Sequence, residues 1–442
     1  MSALARILKH RGLEVAGSDL RESATTRELV RSGIPVSLSQ DQVGFGESDL
    51  IIYSSAIRPN QLELATARRL GKKVYHRAEI LSSLLNQAKT SVAIAGSHGK
   101  TTTTSMVAYL LSELGKNPTC LVGGDILNLG TNTILGGPDL WVSEVDESDR
   151  THQLYAPNYA VVTNLEEDHM DHYRDFEELR SSFDIFLSHL RNPGLVVYSG
   201  EDPALSPLIK GSGKPHVSFG FSEDFDFSAN RIQATAYGSE FDLYESGFFV
   251  TRVRLSVPGR HNIANALAAT ALLVQLGLEP EAVALGIVRF RGARRRLEIK
   301  WESEDLMVID DYAHHPTEVR ASLRALRDMG RRLTVVFQPH RFSRSLHFFK
   351  EFGSAFEEAD ELILTEIYGA GEENPANIRV DSIYEKVLEH GQSAVKILAK
   401  EEISNYLMNR PNPQGIVAFL GAGDIGELAD EFANRFKNAV KA

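Results

Sequence analysis

Between residues 90 and 115 the chain reads as a strand, a glycine turn and a helix, and no other stretch constrains the fold as much. Thr90-Ser91-Val92-Ala93-Ile94-Ala95 is a short apolar run, and Gly96-Ser97-His98-Gly99-Lys100-Thr101-Thr102 follows it. Val107, Leu110, Leu111 and Leu114 then recur at i, i+3, i+4 and i+7, one face of a helix, with Gly115 placed to end it. The same rhythm of apolar run, turn and helix-period stretch recurs along the chain. It predicts an α/β protein in which mainly parallel sheets are flanked by helices. In such folds ligands bind at the carboxyl ends of the strands, so polar residues just after apolar runs are the candidates for function.

With 442 residues the chain exceeds what one core supports, and two or three domains are expected. Hydrophobic residues make up 43%, so folding needs no metal or disulfide staple. Cys120 is the sole cysteine, which excludes an intrachain disulfide and fits a reducing compartment. A net charge of −12 argues against general nucleic-acid binding. It leaves room for an anionic small ligand, because Arg294-Arg295-Arg296 and Arg331-Arg332 are local basic clusters. Arg6, Lys9 and Arg11 interrupt the start before an apolar run can build, so no signal peptide is expected. The uncharged stretch 262–278 contains Asn262, Asn265 and Gln275 and reads as a buried helix rather than a membrane span.

Leu4, Ile7 and Leu8 suggest an opening helix, and residues 13–16 a strand after it. Further strands are expected at 50–53 and 73–75, at 140–144 and 159–164, and at 306–309, 333–337, 361–364 and 416–420. Residues 222–257, with aromatic and β-branched residues around Gly238 and Gly247, read as hairpins.

The unit at 90–115 has the makings of an anion site. Free N–H groups at a helix N-terminus and the helix dipole both favour a phosphate. Lys100 would neutralise β- and γ-phosphates, and the Thr101 hydroxyl would ligate Mg2+. The strict phosphate-loop pattern is not met, because Ile94 stands five residues before Gly99 and Gly96 only three. Two later strands end in acids or a histidine: Glu144-Val145-Asp146-Glu147-Ser148-Asp149, and Asn164 to Asp171 with His169. Glu144 suits Mg2+ as a hard oxygen ligand. His169 could orient a phosphoryl group or support a second metal. A solvated strand end and a capping role are the plain alternatives for these two. A zinc site finds little support, because Cys120 is isolated and no His-x-x-x-His pattern accompanies an acid.

The motifs Gly96 to Thr104, Glu144 to Asp149, Asn164 to Asp171, Gly259 to Ala266, Asp310 to Pro316 and Phe337 to Arg344 together resemble the Mur ligase family, over essentially the whole chain. The last two are most similar to the alanine-adding branch. The resemblance implies three domains. These are a Rossmann-like UDP-sugar-binding domain at 1–88, a central phosphate-loop ATPase domain at 89–296 and a Rossmann-like C-terminal domain at 297–442 that closes over the nucleotide. It implies a cytoplasmic bacterial enzyme of peptidoglycan precursor synthesis, monomeric or homodimeric. Its substrates would be ATP, UDP-N-acetylmuramate and L-alanine, joined through an acyl phosphate.

Residue roles follow from the same resemblance. Gly96, Ser97, His98, Gly99, Lys100, Thr101 and Thr102 would hold the phosphates. Thr101 and Glu144 would ligate the first Mg2+, and His169 a second. Asn262 and Asn265 would lie on the adenine side, with Arg296 and Asp311 also touching ATP. Asp19, Ser54 and Ser55 would face the UDP-sugar, and Tyr312, His314, His340, Arg341 and Arg344 the alanine or the reacting carboxylate. Two features depart from related ligases. The family's N-terminal strand and glycine-rich loop are missing before Met1-Ser2. No lysine stands between Asp171 and Lys210, where several relatives carry a carbamylated one, and this agrees with the alanine-adding branch. Three other readings stay open: a ligase adding another amino acid or a peptide, a non-catalytic nucleotide-binding protein, and a simple phosphotransferase.

Overall fold

The structure, a computed structural model, describes residues 1–38, 46, 48–57, 61–170, 172–235, 237–374, 376–410 and 414–441. Asp171, at the end of one quoted motif, lies outside the described residues. The chain divides into two compact units, the first formed by Met1–Asp125 and Gly130–Ser218, the second by Ile126–Leu129 and Phe219–Ala442.

In the first unit, helix Ser2–His10 buries Leu4 and Ile7, as their spacing predicts. The strand expected at 13–16 does not form. Only Gly17–Ser18 is extended, paired in parallel with Val36–Ser37, because Gly12 turns the chain in a left-handed conformation immediately after the helix. Leu50–Tyr53 and Lys73–His76 form a second parallel pair, as expected. The core of the unit is the parallel array Leu195–Ser199, Tyr159–Val162, Thr90–Ala95, Leu140–Glu144 and Thr119–Ile126, in that spatial order. Ala93, Ala95, Trp141, Ala160, Val162 and Val196 pack on one face, against Leu179, Phe183 and Phe186 of helix Phe176–Ser188. Helix Lys100–Glu113 is buried on every side from Thr101 to Leu111, not along one stripe. Its hydroxyl-rich start, Thr101 to Ser105, gave no periodic sign of that burial.

In the second unit the hairpins expected at 222–257 form as Phe227–Thr235, Gly238–Glu245 and Phe248–Leu255, paired antiparallel. Helix Arg260–Gln275 is buried from Asn262 to Leu273 apart from Ala264, the reading given to 262–278. A six-stranded sheet follows in the order Glu298–Glu302, Leu306–Asp311, Gly415–Leu420, Leu333–Phe337, Glu361–Leu364, Val395–Ile397. All neighbours are parallel except the first pair. Alternate residues serve opposite faces. Met307, Ile309, Val335, Phe337 and Ala418 pack against helices Pro316–Arg327 and Val380–Glu389. Leu306, Val308, Val336, Val417 and Phe419 pack against Lys400–Met408 and Ile425–Lys441. Both faces are covered, and this is why these strands are continuously apolar. No helix among the described residues is long and apolar enough to cross a membrane.

Candidate active site

The phosphate loop of the first unit is built against residues 163–166. Gly96 has φ +126°, and a Cβ there would lie 2.2 Å from Thr163 Oγ1 and 2.9 Å from the Asn164 carbonyl oxygen. The close approach lets Asn164 Oδ1 accept from His98 N at 2.8 Å while Asn164 Nδ2 donates to the His98 carbonyl at 2.9 Å. Thr163 Oγ1 donates to the same carbonyl at 2.6 Å, and the Glu166 amide donates to Ser97 Oγ at 2.9 Å. Gly99, left-handed at φ +82°, then starts the helix, and the first N–H groups of that helix have no partner one turn back. Ser97, Thr101 and Thr102 are buried in this frame.

Lys100 Nζ donates to the Gly96 carbonyl at 2.5 Å, the Ser97 carbonyl at 3.1 Å and both oxygens of Glu147 at 2.8 Å. Burial works against its charge, but Glu147, Asp146 and Glu144 outweigh that and hold its pKa above the usual value. Burial pushes the Glu147 carboxyl up to about 7. His169 sits beside this pair, its Nε2 3.8 Å from Glu147 and 3.6 Å from Asp168. It holds φ +59°, a conformation uncommon for a residue with a side chain and concentrated at functional sites.

Thr101 Oγ1 donates to Glu144 Oε1 at 2.9 Å, and Gly123 N donates to Glu144 Oε2 at 2.8 Å. A Cβ at Gly123 would lie 2.6 Å from Glu144 Oε2 and 2.8 Å from Thr101 Oγ1, so a glycine keeps the space in front of these oxygens. A hydroxyl and a carboxylate facing such a space suit Mg2+. Of the expected UDP-sugar residues, Ser55 Oγ donates to Asp149 Oδ2 at 2.7 Å and lies 3.0 Å from His76 Nε2. Ser54 is half-buried next to it, and Asp19 is exposed after Gly17–Ser18.

The second unit gathers another set. Tyr312, His314, His340 and Tyr368 form a chain of ring contacts, with centroids 5.3, 5.7 and 5.7 Å apart. Arg296 lies 5.0 Å over Tyr312 and 3.7 Å from Glu318, whose other oxygen is 3.2 Å from His314 Nδ1. Arg341, at φ +66°, donates its amide to the Tyr368 carbonyl at 2.8 Å, and Arg344 is buried one helical turn on. Asn262 and Asn265 are buried in the first two turns of their helix. Asn265 Nδ2 donates to Asn262 Oδ1 at 3.2 Å, and Asn262 Nδ2 to the Pro258 carbonyl at 2.7 Å.

Asp311 faces inward. Its carboxylate takes the Ser322 hydroxyl and the Ala313 amide, fixing the turn that carries Tyr312 and His314. Burial, the largest influence, lifts this carboxyl to about 6, against the pull of Ser322 and Arg296. In the unfolded chain it titrates near 4, so between about pH 4 and pH 6 the folded state binds the extra proton. Stability from this group is present below about pH 4 and is lost as pH rises through 6, by about 3 kcal/mol. Asp311→Asn is therefore expected to gain on the wild type as pH rises from 4 to 7. Denaturant midpoints of both proteins across that range check it.

Several participants were not singled out in the sequence. Glu147 was one of a run of acids, and nothing in the spacing showed which one meets Lys100. Gly123, Glu318 and Tyr368 carry no motif. Gly421-Ala422-Gly423-Asp424-Ile425-Gly426 does have the spacing of a dinucleotide loop between a strand and a helix. Its carbonyls are taken by Arg295, however, at 2.6 Å for Gly421 and 3.0 Å for Gly423. Gln338 Oε1 lies 2.4 Å from where a Cβ of Gly423 would stand, so the glycine lets this side chain pack against the turn.

Three family models match in order: Mur ligase family, catalytic domain, over residues 1–89; Mur ligase middle domain over 94–273; and Mur ligase, glutamate ligase domain, over 295–423. The chain is 39% identical to the UDP-N-acetylmuramate–L-alanine ligase of Carboxydothermus hydrogenoformans, over 97% of this chain and 92% of that protein. It is 40% identical to the ligase of the same name from Gloeobacter violaceus, over 98% and 93%. The crystal structure of UDP-N-acetylmuramate–alanine ligase from Thermotoga maritima superposes with a TM-score of 0.84 at 29% identity, covering 99% of this chain and 97% of that one. The motifs, the α/β architecture and these full-length similarities agree: the chain belongs to the Mur ligase family.

Proposed function

We propose that this protein is an ADP-forming ligase that joins L-alanine to UDP-N-acetylmuramate in peptidoglycan precursor synthesis. The observation that carries the reading is the Thr101–Glu144 pair beside Lys100 at a helix N-terminus, on a chain similar over nearly its whole length to ligases of that name. The first step brings a carboxylate to a triphosphate, two anions that repel each other in water. Lys100 and the free amides of the helix start supply positive charge where the transferred phosphoryl develops negative charge. Thr101 and Glu144 would hold Mg2+, which offsets further phosphate charge when bound, and His169 would serve the same phosphoryl region. The acyl phosphate then accepts the amine of alanine, giving an amide and phosphate.

Asp19, Ser54 and Ser55 are assigned to the UDP-sugar, and Arg296, Asn262 and Asn265 to the nucleotide, with Asp311 positioning the turn after it. Tyr312, His314, His340, Arg341 and Arg344 are assigned to alanine and the reacting carboxylate, since guanidinium forks suit carboxylates. The domain limits 1–88, 89–296 and 297–442, a cytoplasmic site of action and a monomeric or homodimeric state belong to the same proposal.

The test is phosphate release by the purified protein with ATP, Mg2+ and UDP-N-acetylmuramate, one amino acid at a time, with the product weighed by mass spectrometry. L-alanine-dependent release with an amide product is expected. A phosphorylated sugar without amide would mark a phosphotransferase, and stronger release with another amino acid a ligase of different specificity.

A further inference from the structure

Lys100 is assigned to the phosphates, yet in this structure its ammonium is engaged elsewhere. An ammonium has three N–H groups, and here they meet four acceptors: the Gly96 and Ser97 carbonyls and both oxygens of Glu147. None is left over for a phosphate.

Glu147 itself is held firmly. Its side chain is 1% exposed. Its main-chain carbonyl accepts the Tyr173 hydroxyl at 2.6 Å and the Arg150 amide at 3.0 Å. The Arg150 guanidinium lies 4.7 Å over the Tyr173 ring, and Ser182 Oγ reaches the Tyr173 hydroxyl at 3.4 Å. A carboxylate this buried, paired through both oxygens, is not a casual surface contact. Removing its partner would leave an uncompensated charge inside the protein.

We infer that Glu147 is a positioning residue that latches Lys100 in the nucleotide-free protein and competes with the nucleotide's phosphates for the same ammonium. The inference rests on the ATP-binding reading of the loop. When phosphates arrive, Lys100 exchanges one or both Glu147 oxygens for phosphate oxygens, or bridges the two anions, which then repel each other. In either case the negative charge of Glu147 opposes binding. Neutralising it raises the free energy of the empty protein more than that of the loaded one. A merely structural glutamate would not behave in this way, because its loss would leave affinity unchanged or weaken it.

The test is calorimetric titration of ATP with Mg2+ into wild type, Glu147→Gln and Tyr173→Phe, each checked by thermal denaturation. Glu147→Gln is expected to bind ATP about tenfold more tightly, about 1.4 kcal/mol, and its melting temperature should rise more on ATP addition than that of the wild type. Tyr173→Phe, which removes the hydroxyl that holds the main chain at Glu147, should bind severalfold more tightly and serves alone if Glu147→Gln does not fold. Unchanged or weaker binding in the folded variants overturns the latch. Absence of binding by the wild type instead removes the ATP reading on which it stands.

Discussion

Lys100→Ala is expected to lower ADP formation about a hundred- to a thousandfold, the loss typical when a preorganised group is removed from the site of a developing charge. The ammonium is held in the loop itself, bonded to the Gly96 and Ser97 carbonyls. The variant also leaves Glu147 buried without its counter-charge. Breaking one side of a buried pair costs about 3–5 kcal/mol. Glu147 reduces that cost by taking up a proton, since burial already raises its carboxyl to about 7. The variant should therefore stay folded near pH 6 and lose melting temperature as pH rises to 8. Phosphate-release kinetics and melting curves check the two halves separately. Turnover near that of the wild type would remove Lys100 from the reaction.

Gly96→Ala has the second largest expected effect, and its cause is steric. A methyl group at this position would stand 2.2 Å from Thr163 Oγ1 and 2.9 Å from both the Thr163 amide nitrogen and the Asn164 carbonyl oxygen, on a backbone at φ +126°. Two of these three atoms are main chain and cannot rotate away. Thr163 Oγ1 is itself tied to the carbonyls of Ala95 and His98. The substitution should cost about 3 kcal/mol or more and push His98 and Gly99 out of register with Asn164. ATP affinity should fall at least about tenfold, by the loss of one or two amide contacts. Gly115→Ala is the control. Gly115 is also left-handed, at φ +69°, but nothing stands within 4 Å of the added methyl. Its cost should stay near 1–2 kcal/mol, with ATP affinity unchanged. Melting temperatures and ATP titrations of the two variants together test whether the close approach to Thr163, rather than the backbone angle alone, makes Gly96 indispensable.

What could be read from the sequence was local. The strands Leu50–Tyr53, Thr90–Ala95 and Leu333–Phe337 form where their apolar runs stand, because side-chain alternation and turn chemistry act over a few residues. Lys100, Thr101 and Glu144 are legible for the same reason: each stands at or just after a strand end, where an α/β fold leaves backbone groups for ligands. The opening segment shows the limit of such reading. Residues 13–16 are apolar enough for a strand, but the left-handed Gly12 and the pairing of Gly17–Ser18 with Val36–Ser37 placed the extended pair elsewhere.

Only the tertiary structure decided which acid meets Lys100, since Glu144, Asp146, Glu147 and Asp149 are alike in type and differ in what the packing around each allows. Glu147 is chosen because Tyr173 anchors its backbone. Glu144 is left to Thr101 because Gly123, brought alongside by the parallel pairing of Thr119–Ile126 with Leu140–Glu144, has no side chain to fill the gap. Tyr368 reaches His340, and Arg295 reaches the Gly421 loop, across 28 and 126 residues of chain. Such meetings depend on strand order and on which faces are buried, quantities that spacing within one segment does not contain.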